Sequence, residues 1–361
     1  MAVRPLDGGK TIIGKTVLRK PGGKTAGNGR VRGAGAPDSF LAELYRPIAP
    51  ALGRAEEILR ETARGSSNVI RDMAAHLVRK PGKRVRAALV LFSARSGRAD
   101  PRRAAELAAV VEMLHLASLV HDDILDGSGR RRNQRSLHAV WGTHLSVLMG
   151  DFLFSRLAGM LASAFPRDVL SVVMRSAERM VRGEMEEEDA AFKSGLTVSR
   201  YMNIIRMKTA ELMAASCEAG ASLAGAPMPV RRNLRKFGLS FGMGFQLTDD
   251  ALNFSGTEME VGKPVGSDII EGRFTYPVLC LRGRLRGTGR RHLISLLTRS
   301  ALSNGGAGKV IRMVQAGDSL PSTLVEAGER FAMARRALRN VPTAVAEPLA
   351  GLAEYAGWRR S

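Results

Sequence analysis

Residues 114–126 read Leu114-His115-Leu116-Ala117-Ser118-Leu119-Val120-His121-Asp122-Asp123-Ile124-Leu125-Asp126. Upstream, Leu107, Val110, Val111 and Leu114 recur at helical spacing, so the acidic residues close an apolar helix that begins near Ala104. Asp122 and Asp126 are four apart and share one helical face. Like charges repel there, and the apolar run before them makes the placement costlier. A bound divalent cation relieves both penalties. Carboxylate oxygens with open positions for phosphate oxygens are the ligands magnesium prefers.

A second segment repeats the idea. Phe245-Gln246-Leu247-Thr248-Asp249-Asp250-Ala251-Leu252-Asn253 also ends a long apolar helix, with Asp249 and Asn253 four apart and an amide in place of the last carboxylate. Either motif alone reads as a solvated helix end. Two of them suggest carboxylate walls facing one another, with metal and diphosphate between.

The remaining pattern is helical throughout. Breaks fall at Lys80-Pro81-Gly82, Gly97 to Pro101, Gly127 to Gly129, Gly225 to Pro229, Gly262 to Gly272 and Asn304 to Gly308. There is no sustained period-2 alternation and no βαβ pattern. The chain of 361 residues is 45% hydrophobic and only 5% aromatic, rich in Leu, Ala, Val and Met, which suits packed helices. The expectation is an all-α domain of ten or more helices over residues 38–361. Residues 1–37, with eight Lys/Arg against one acidic residue, read as a basic flexible tail. Its bland reading is a solvated segment, and its sharper one a weak contact with a membrane surface or nucleic acid. No uninterrupted apolar run approaches the ~20 residues of a membrane span, and the start has no signal-peptide core. Cys217 and Cys280 form no disulfide framework, which fits a reducing cytoplasm.

Net charge is +21, which favours anionic partners without choosing among them. Several basic segments have the right setting for phosphate. Gly82-Lys83-Arg84-Val85-Arg86 follows a Pro-Gly break, Arg130-Arg131-Arg132 follows the first acidic motif, and Lys263 lies in the Gly-rich stretch after the second. Lys208-Thr209 sits inside an apolar helical run, an unusual place for an unpaired lysine. His115, seven residues before Asp122, lies on nearly the same face. Singly, each of these reads as a solvated charge or a satisfied core residue.

Together these segments resemble the trans-isoprenyl diphosphate synthases, the polyprenyl synthetase family. The resemblance covers roughly residues 40–358, adding Gly150-Asp151, Gly183-Glu184 and Gly262-Lys263-Pro264-Val265-Gly266-Ser267-Asp268 on to Thr275-Tyr276-Pro277. It implies the isoprenoid synthase fold, helices around a deep central cavity, usually as a homodimer. It implies that Asp122, Asp126 and Asp249 hold magnesium, three ions with bound diphosphate, supported by Asp123 and Asp250. Lys83, Arg86, His115 and Arg132 would hold isopentenyl diphosphate. Arg131, Lys208, Thr209, Gln246 and Lys263 would hold the allylic diphosphate. The chain departs from the family at Asn253, usually Asp, at Arg273, often Lys, and at Asn133, usually Gly.

The expected activity is magnesium-assisted ionisation of an allylic diphosphate, condensation with isopentenyl diphosphate and proton loss. In the family, bulky side chains at the positions of Ala117 and Ser118 stop chain growth. Both are small here, which predicts a long all-trans product, a quinone side-chain precursor made in the cytoplasm and released at the inner membrane surface. A short-chain farnesyl or geranylgeranyl synthase and a non-catalytic subunit of a heteromeric synthase are the near alternatives. A His-Asp metal phosphohydrolase built on His121-Asp122 would need more of His76, His115, His138, His144 and His292, and leaves the second motif unexplained. A nucleic-acid-binding protein would rest on charge alone. No recognition motif accompanies that charge, so no specific nucleic acid is expected. Outside 1–37, 47 basic residues still face 33 acidic ones. Gly305-Gly306-Ala307-Gly308-Lys309 hints at a phosphate loop, but Ser303 and Val310 break the pattern.

Overall fold

The structure, a computed structural model, describes residues 37–63, 66–80, 82–131, 134–255 and 265–358. All of them lie in one compact unit. The expected tail lies outside the described residues, save Pro37, which opens the first helix. So do Arg132, Asn133 and Lys263.

The element order is α1 (Pro37–Tyr45), α2 (Ala49–Glu61), α3 (Asn68–Val78), α4 (Val85–Ser93), α5 (Pro101–Leu125), α6 (Leu137–Trp141), α7 (Thr143–Ala164), α8 (Arg167–Ala190) and α9 (Val198–Ile205). It continues with α10 (Glu211–Leu223), α11 (Met228–Ser255), α12 (Ser267–Ile270), α13 (Tyr276–Arg284), α14 (Gly287–Leu296), α15 (Arg299–Ala301), α16 (Ala307–Ala316), α17 (Ser319–Ala337) and α18 (Thr343–Trp358). The one departure from helix is a two-residue hairpin among the described residues, β1 (Arg130–Arg131) against β2 (Gln134–Arg135), with Arg130 opposite Arg135. A strand this short leaves no period-2 signature in the sequence.

α5 starts three residues earlier than the apolar pattern suggests. Asp100 caps it by accepting the Arg102 N–H at 2.8 Å, and Pro101 occupies the first helical position. Leu107, Val110, Val111 and Met113 are fully enclosed, because α2, α4 and α7 cover the helix on different sides. α10 is the second buried helix, between α4, α8 and α11. Close approach there depends on Gly238, where an added Cβ would lie 2.5 Å from the Met213 carbonyl oxygen. α11 in turn packs on α17, with Phe237, Phe241 and Phe254 among the largest fully buried side chains. Each contributes about 2–3 kcal/mol of apolar burial.

α5 and α7 are both long and apolar enough, by length and composition, to cross a membrane, although polar residues interrupt them. α5 is a core helix here. α7 leaves Leu145, Leu148 and Phe154 exposed. Cys217 and Cys280 are free thiols.

Candidate active site

α5 delivers the first acidic motif as its last turn. Asp126 is the C-terminal cap, its N–H donating to the Asp122 carbonyl at 2.8 Å, so the two carboxylates share a face as the spacing requires. Neither is left alone. Arg273 donates to Asp126, to Glu188 at 3.0 Å, and lies 3.6 Å from Glu187 and 3.4 Å from Glu271. Lys208 reaches Glu187 at 2.5 Å and Glu184 at 2.7 Å. The sequence expectation of an unpaired lysine is therefore corrected: Lys208 is paired twice, by α8. It stands in a π-helical turn, Arg206–Ala210, where the extra residue per turn aims it at α8. Gly183 permits that approach, since a Cβ there would lie 2.5 Å from the Lys208 backbone nitrogen.

The electrostatics follow from crowding. Burial raises the Asp122 carboxyl, with Lys208 and Arg131 opposing and Asp126 and Glu187 reinforcing. Burial pushes Glu184 up to about 7 against the pull of Lys208. Burial alone would lower Lys208 and Arg273. Instead Glu187 and Asp122 hold the lysine above its ordinary value, and Glu187 and Asp126 do so for the arginine. Among the described residues no three acidic, His or Cys side chains converge into a ready metal cage. Six carboxylates, those of Asp122, Asp126, Glu184, Glu187, Glu188 and Glu271, instead share two cations. Hard anionic oxygens in such excess suit a divalent cation, so these residues fit magnesium.

The second motif is anchored more deeply. Asp250 is 2% exposed, and burial, then Asp268 and Glu187, raise its carboxyl well above the ordinary range. The Tyr201 hydroxyl donates to it, and so does the Gln246 amide at 3.0 Å, while Thr209 donates to the Gln246 carbonyl oxygen at 3.0 Å. Asp249, one residue earlier, is half-buried on the same helix end. Because Glu187 acts on both Asp122 and Asp250, the two motifs share one electrostatic neighbourhood. Asn253 differs from its expected place on a carboxylate wall. It is 4% exposed, and neither amide atom has a hydrogen-bond partner among the described residues.

The basic residues divide into two groups. Arg131 donates to the buried Asp123 at 2.6 Å, which makes Asp123 a support for the hairpin arginine. Arg86 lies 3.1 Å from the His115 ring nitrogen, and Lys83 stacks over the Tyr355 ring of α18. The corner between Lys83 and Arg86 is set by Arg84, in the left-handed region at φ 50°. Its guanidinium is buried and paired with Glu112 at 3.2 Å and Glu56 at 3.4 Å. Those pairs offset the ~1–2 kcal/mol that this conformation costs. His121 turns to α7, toward the Val147 carbonyl and Asp151, which removes it from the pairing a His-Asp phosphohydrolase needs. Ala117 is buried in α5, and the Ser118 hydroxyl donates to the His115 carbonyl at 2.9 Å.

Glu187, Glu188, Tyr201 and Tyr355 were missed by sequence reasoning. The available signal was helical: Glu184, Glu187 and Glu188 stand at i, i+3 and i+4, a stripe facing the lysine that seemed to lack a partner.

Such an assembly, helices holding two acidic helix ends among half-buried lysine and arginine, is that of an all-α isoprenoid synthase fold. The pattern of the polyprenyl synthetase family matches residues 67–311, and the chain belongs to that family. It is 38% identical over 239 residues to heptaprenyl diphosphate synthase component 2 of Geobacillus stearothermophilus, covering 66% of this chain and 75% of that one. It is 36% identical over 226 residues to a short chain isoprenyl diphosphate synthase of Methanothermobacter thermautotrophicus, covering 62% and 70%. The fold superposes with a TM-score of 0.83 on the crystal structure of a polyprenyl synthase from Caulobacter crescentus CB15 complexed with calcium and isoprenyl diphosphate. Sequence identity there is 32%, and coverage is 91% of this chain and all of that one.

Proposed function

We propose that this chain is a magnesium-dependent prenyltransferase that adds isopentenyl diphosphate to an allylic diphosphate, repeatedly, to give a long all-trans polyprenyl diphosphate. The observation that carries the reading is the shared cluster of Asp122, Asp126, Glu184 and Glu187 around Lys208 and Arg273. Carboxylates outnumber cations there, so magnesium can balance the excess while Lys208 and Arg273 stay available to an anionic diphosphate.

Asp122, Asp126 and Asp249 would hold magnesium, which supplies charge neutralisation on the departing diphosphate. Lys208 and Arg273 exchange carboxylate partners for diphosphate oxygens as charge builds on them. Thr209 and Gln246, tied to one another and to Asp250, fix the donors beside that group. Arg131 is aimed by Asp123. Lys83, Arg86 and His115 would hold isopentenyl diphosphate at the start of α4, with Arg132 and Lys263 completing the two subsites. The allylic C–O bond breaks and its electron pair leaves on the diphosphate. The isopentenyl double bond forms the new C–C bond to the allylic carbon. A proton then departs from the adjacent carbon to the released diphosphate, restoring a double bond.

Length would be set along α5, where Ala117 and Ser118 put no bulk one turn below Asp122. One helical turn of about 5.4 Å is close to one isoprene unit, so a product of roughly thirty to fifty carbons is expected. The enzyme would act as a homodimer in the cytoplasm, from one catalytic domain over 38–361, with product released at the membrane. The test is incubation with labelled isopentenyl diphosphate, farnesyl diphosphate and magnesium, with products separated by length. A stop at farnesyl or geranylgeranyl diphosphate would refute the long-chain assignment.

A further inference from the structure

Two short segments of the chain repeat a pattern that the activity does not use. Residues 231–236 are Arg-Arg-Asn-Leu-Arg-Lys, and residues 335–340 are Arg-Arg-Ala-Leu-Arg-Asn. The first lies in the opening turns of α11, the second at the end of α17, and these two helices pack together. In each segment the leucine is the anchor: Leu234 and Leu338 are buried in the core. Beside the buried leucines, Lys236, Arg336 and Arg339 are exposed and line one cavity.

The positive charges then sort into two kinds. Arg231 is spent on Asp168 at 2.9 Å, and Arg235 on Glu211 at 2.6 Å and Glu218 at 3.2 Å. Arg232, Lys236, Arg335, Arg336 and Arg339 hold no side-chain hydrogen bond or ion pair with the described residues. Three of these five, Lys236, Arg336 and Arg339, line one cavity of about 420 Å³. Asn233 and Ser240 add neutral donors, and Met333 an exposed apolar surface, while no carboxylate lines it. Cations that line one cavity with no carboxylate among them repel unless an anion joins them.

We propose that this cavity binds the phosphoryl group of a phosphate ester, at a site separate from the reaction centre. Two guanidinium forks and an ammonium match the oxygens of a phosphoryl group better than a single carboxylate. The volume falls in the range of small-molecule sites, about 300–1,000 Å³. Asn233 and Ser240 can meet the hydroxyls of a glycerol or sugar moiety, and Met333 the carbon chain beyond it. Ser240 precedes Asp249 by nine residues on α11, about 14 Å along the helix and half a turn around it, so the cavity faces away from the acidic motifs. The phosphate ester can be an anionic lipid head group or a soluble metabolite, and the test separates them.

The full chain is compared with Lys236→Gln/Arg336→Gln/Arg339→Gln and with a control that removes equal charge elsewhere, Arg290→Gln/Arg291→Gln/Lys309→Gln. Binding to vesicles of phosphatidylglycerol in phosphatidylcholine is read by co-sedimentation, and binding of glycerol 3-phosphate by calorimetry. Condensation turnover on soluble substrates, within about twofold of wild type, checks folding. The cavity triple is expected to lose at least ~10-fold in vesicle affinity while the control loses less than about twofold. A loss of at least ~10-fold confined to glycerol 3-phosphate also supports the site and assigns a soluble ester to it. Equal losses in the two triples, or no loss of either ligand in the cavity triple, would overturn the proposal.

Discussion

Glu184 is the side chain whose charge is most finely poised. Burial raises its carboxyl to about 7, from an ordinary value near 4.5, even with Lys208 at 2.7 Å. A carboxyl raised on folding is protonated in both states at low pH and costs nothing there. As pH climbs from about 4.5 to 7 the unfolded chain releases this proton first, so folded stability falls, and above 7 the loss is constant. The loss expected is on the order of 2 kcal/mol, allowing for partial exposure. Thermal unfolding without divalent cations is therefore expected to show a lower midpoint at pH 7.5 than at pH 5. Glu184→Gln should flatten that slope, and an unchanged slope would show that other groups control it. Asn253 gives a second test. Its amide is buried with no partner among the described residues, so Asn253→Asp buries an anion that a metal can satisfy. The variant should lose ~1–3 kcal/mol of stability in metal-free buffer. Magnesium with diphosphate should recover much of that, and equal losses with and without metal would contradict it.

At the scale of elements, α5 shows what a sequence can and cannot disclose. Its apolar spacing, its length and the carboxylates at its end are all legible, because 3.6-residue periodicity is a local property. The residues proposed to meet diphosphate come from likeness to a family, not from periodicity. Partners across helices were not legible. That Lys208 is held by Glu184 and Glu187, or that Lys83 lies against Tyr355, depends on a π-helical turn and on α18 docking beside α4. Neither leaves a periodic trace. The hairpin at Arg130 was hidden for the same reason, being two residues long on each side. α5 also carries the length prediction. Ala117→Phe introduces a ring five residues before Asp122, next to Ser118, at a cost of about 1–3 kcal/mol for overpacking. Products should shorten to about fifteen to twenty carbons, one helical turn corresponding to about one isoprene unit, while the first condensation continues. An unchanged product distribution would place the floor on another helix.

For the whole molecule the open question is association. Leu148 on α7 is 61% exposed and Met185 on the neighbouring α8 is 67% exposed, with Leu145 and Val181 one turn before them on the same faces. Apolar surface of this extent on two adjacent helices suits a partner. A second copy of the chain would bury both stripes at once. Sedimentation of the purified chain at micromolar concentration should show a dimer, and Leu148→Arg/Met185→Arg a monomer. A monomeric wild type would point instead to a different partner subunit.

The central claim is that this chain, by itself, performs the condensation through both acidic motifs. The direct measurement is the rate of labelled isopentenyl diphosphate incorporation by the purified chain with farnesyl diphosphate, for wild type, Asp122→Ala and Asp249→Ala, as magnesium is titrated. Wild type should turn over only with magnesium, and each variant should fall by at least ~100-fold, because each loses a ligand that neutralises charge in the transition state. No incorporation by wild type at saturating magnesium, or near-normal rates in both variants, would contradict the account.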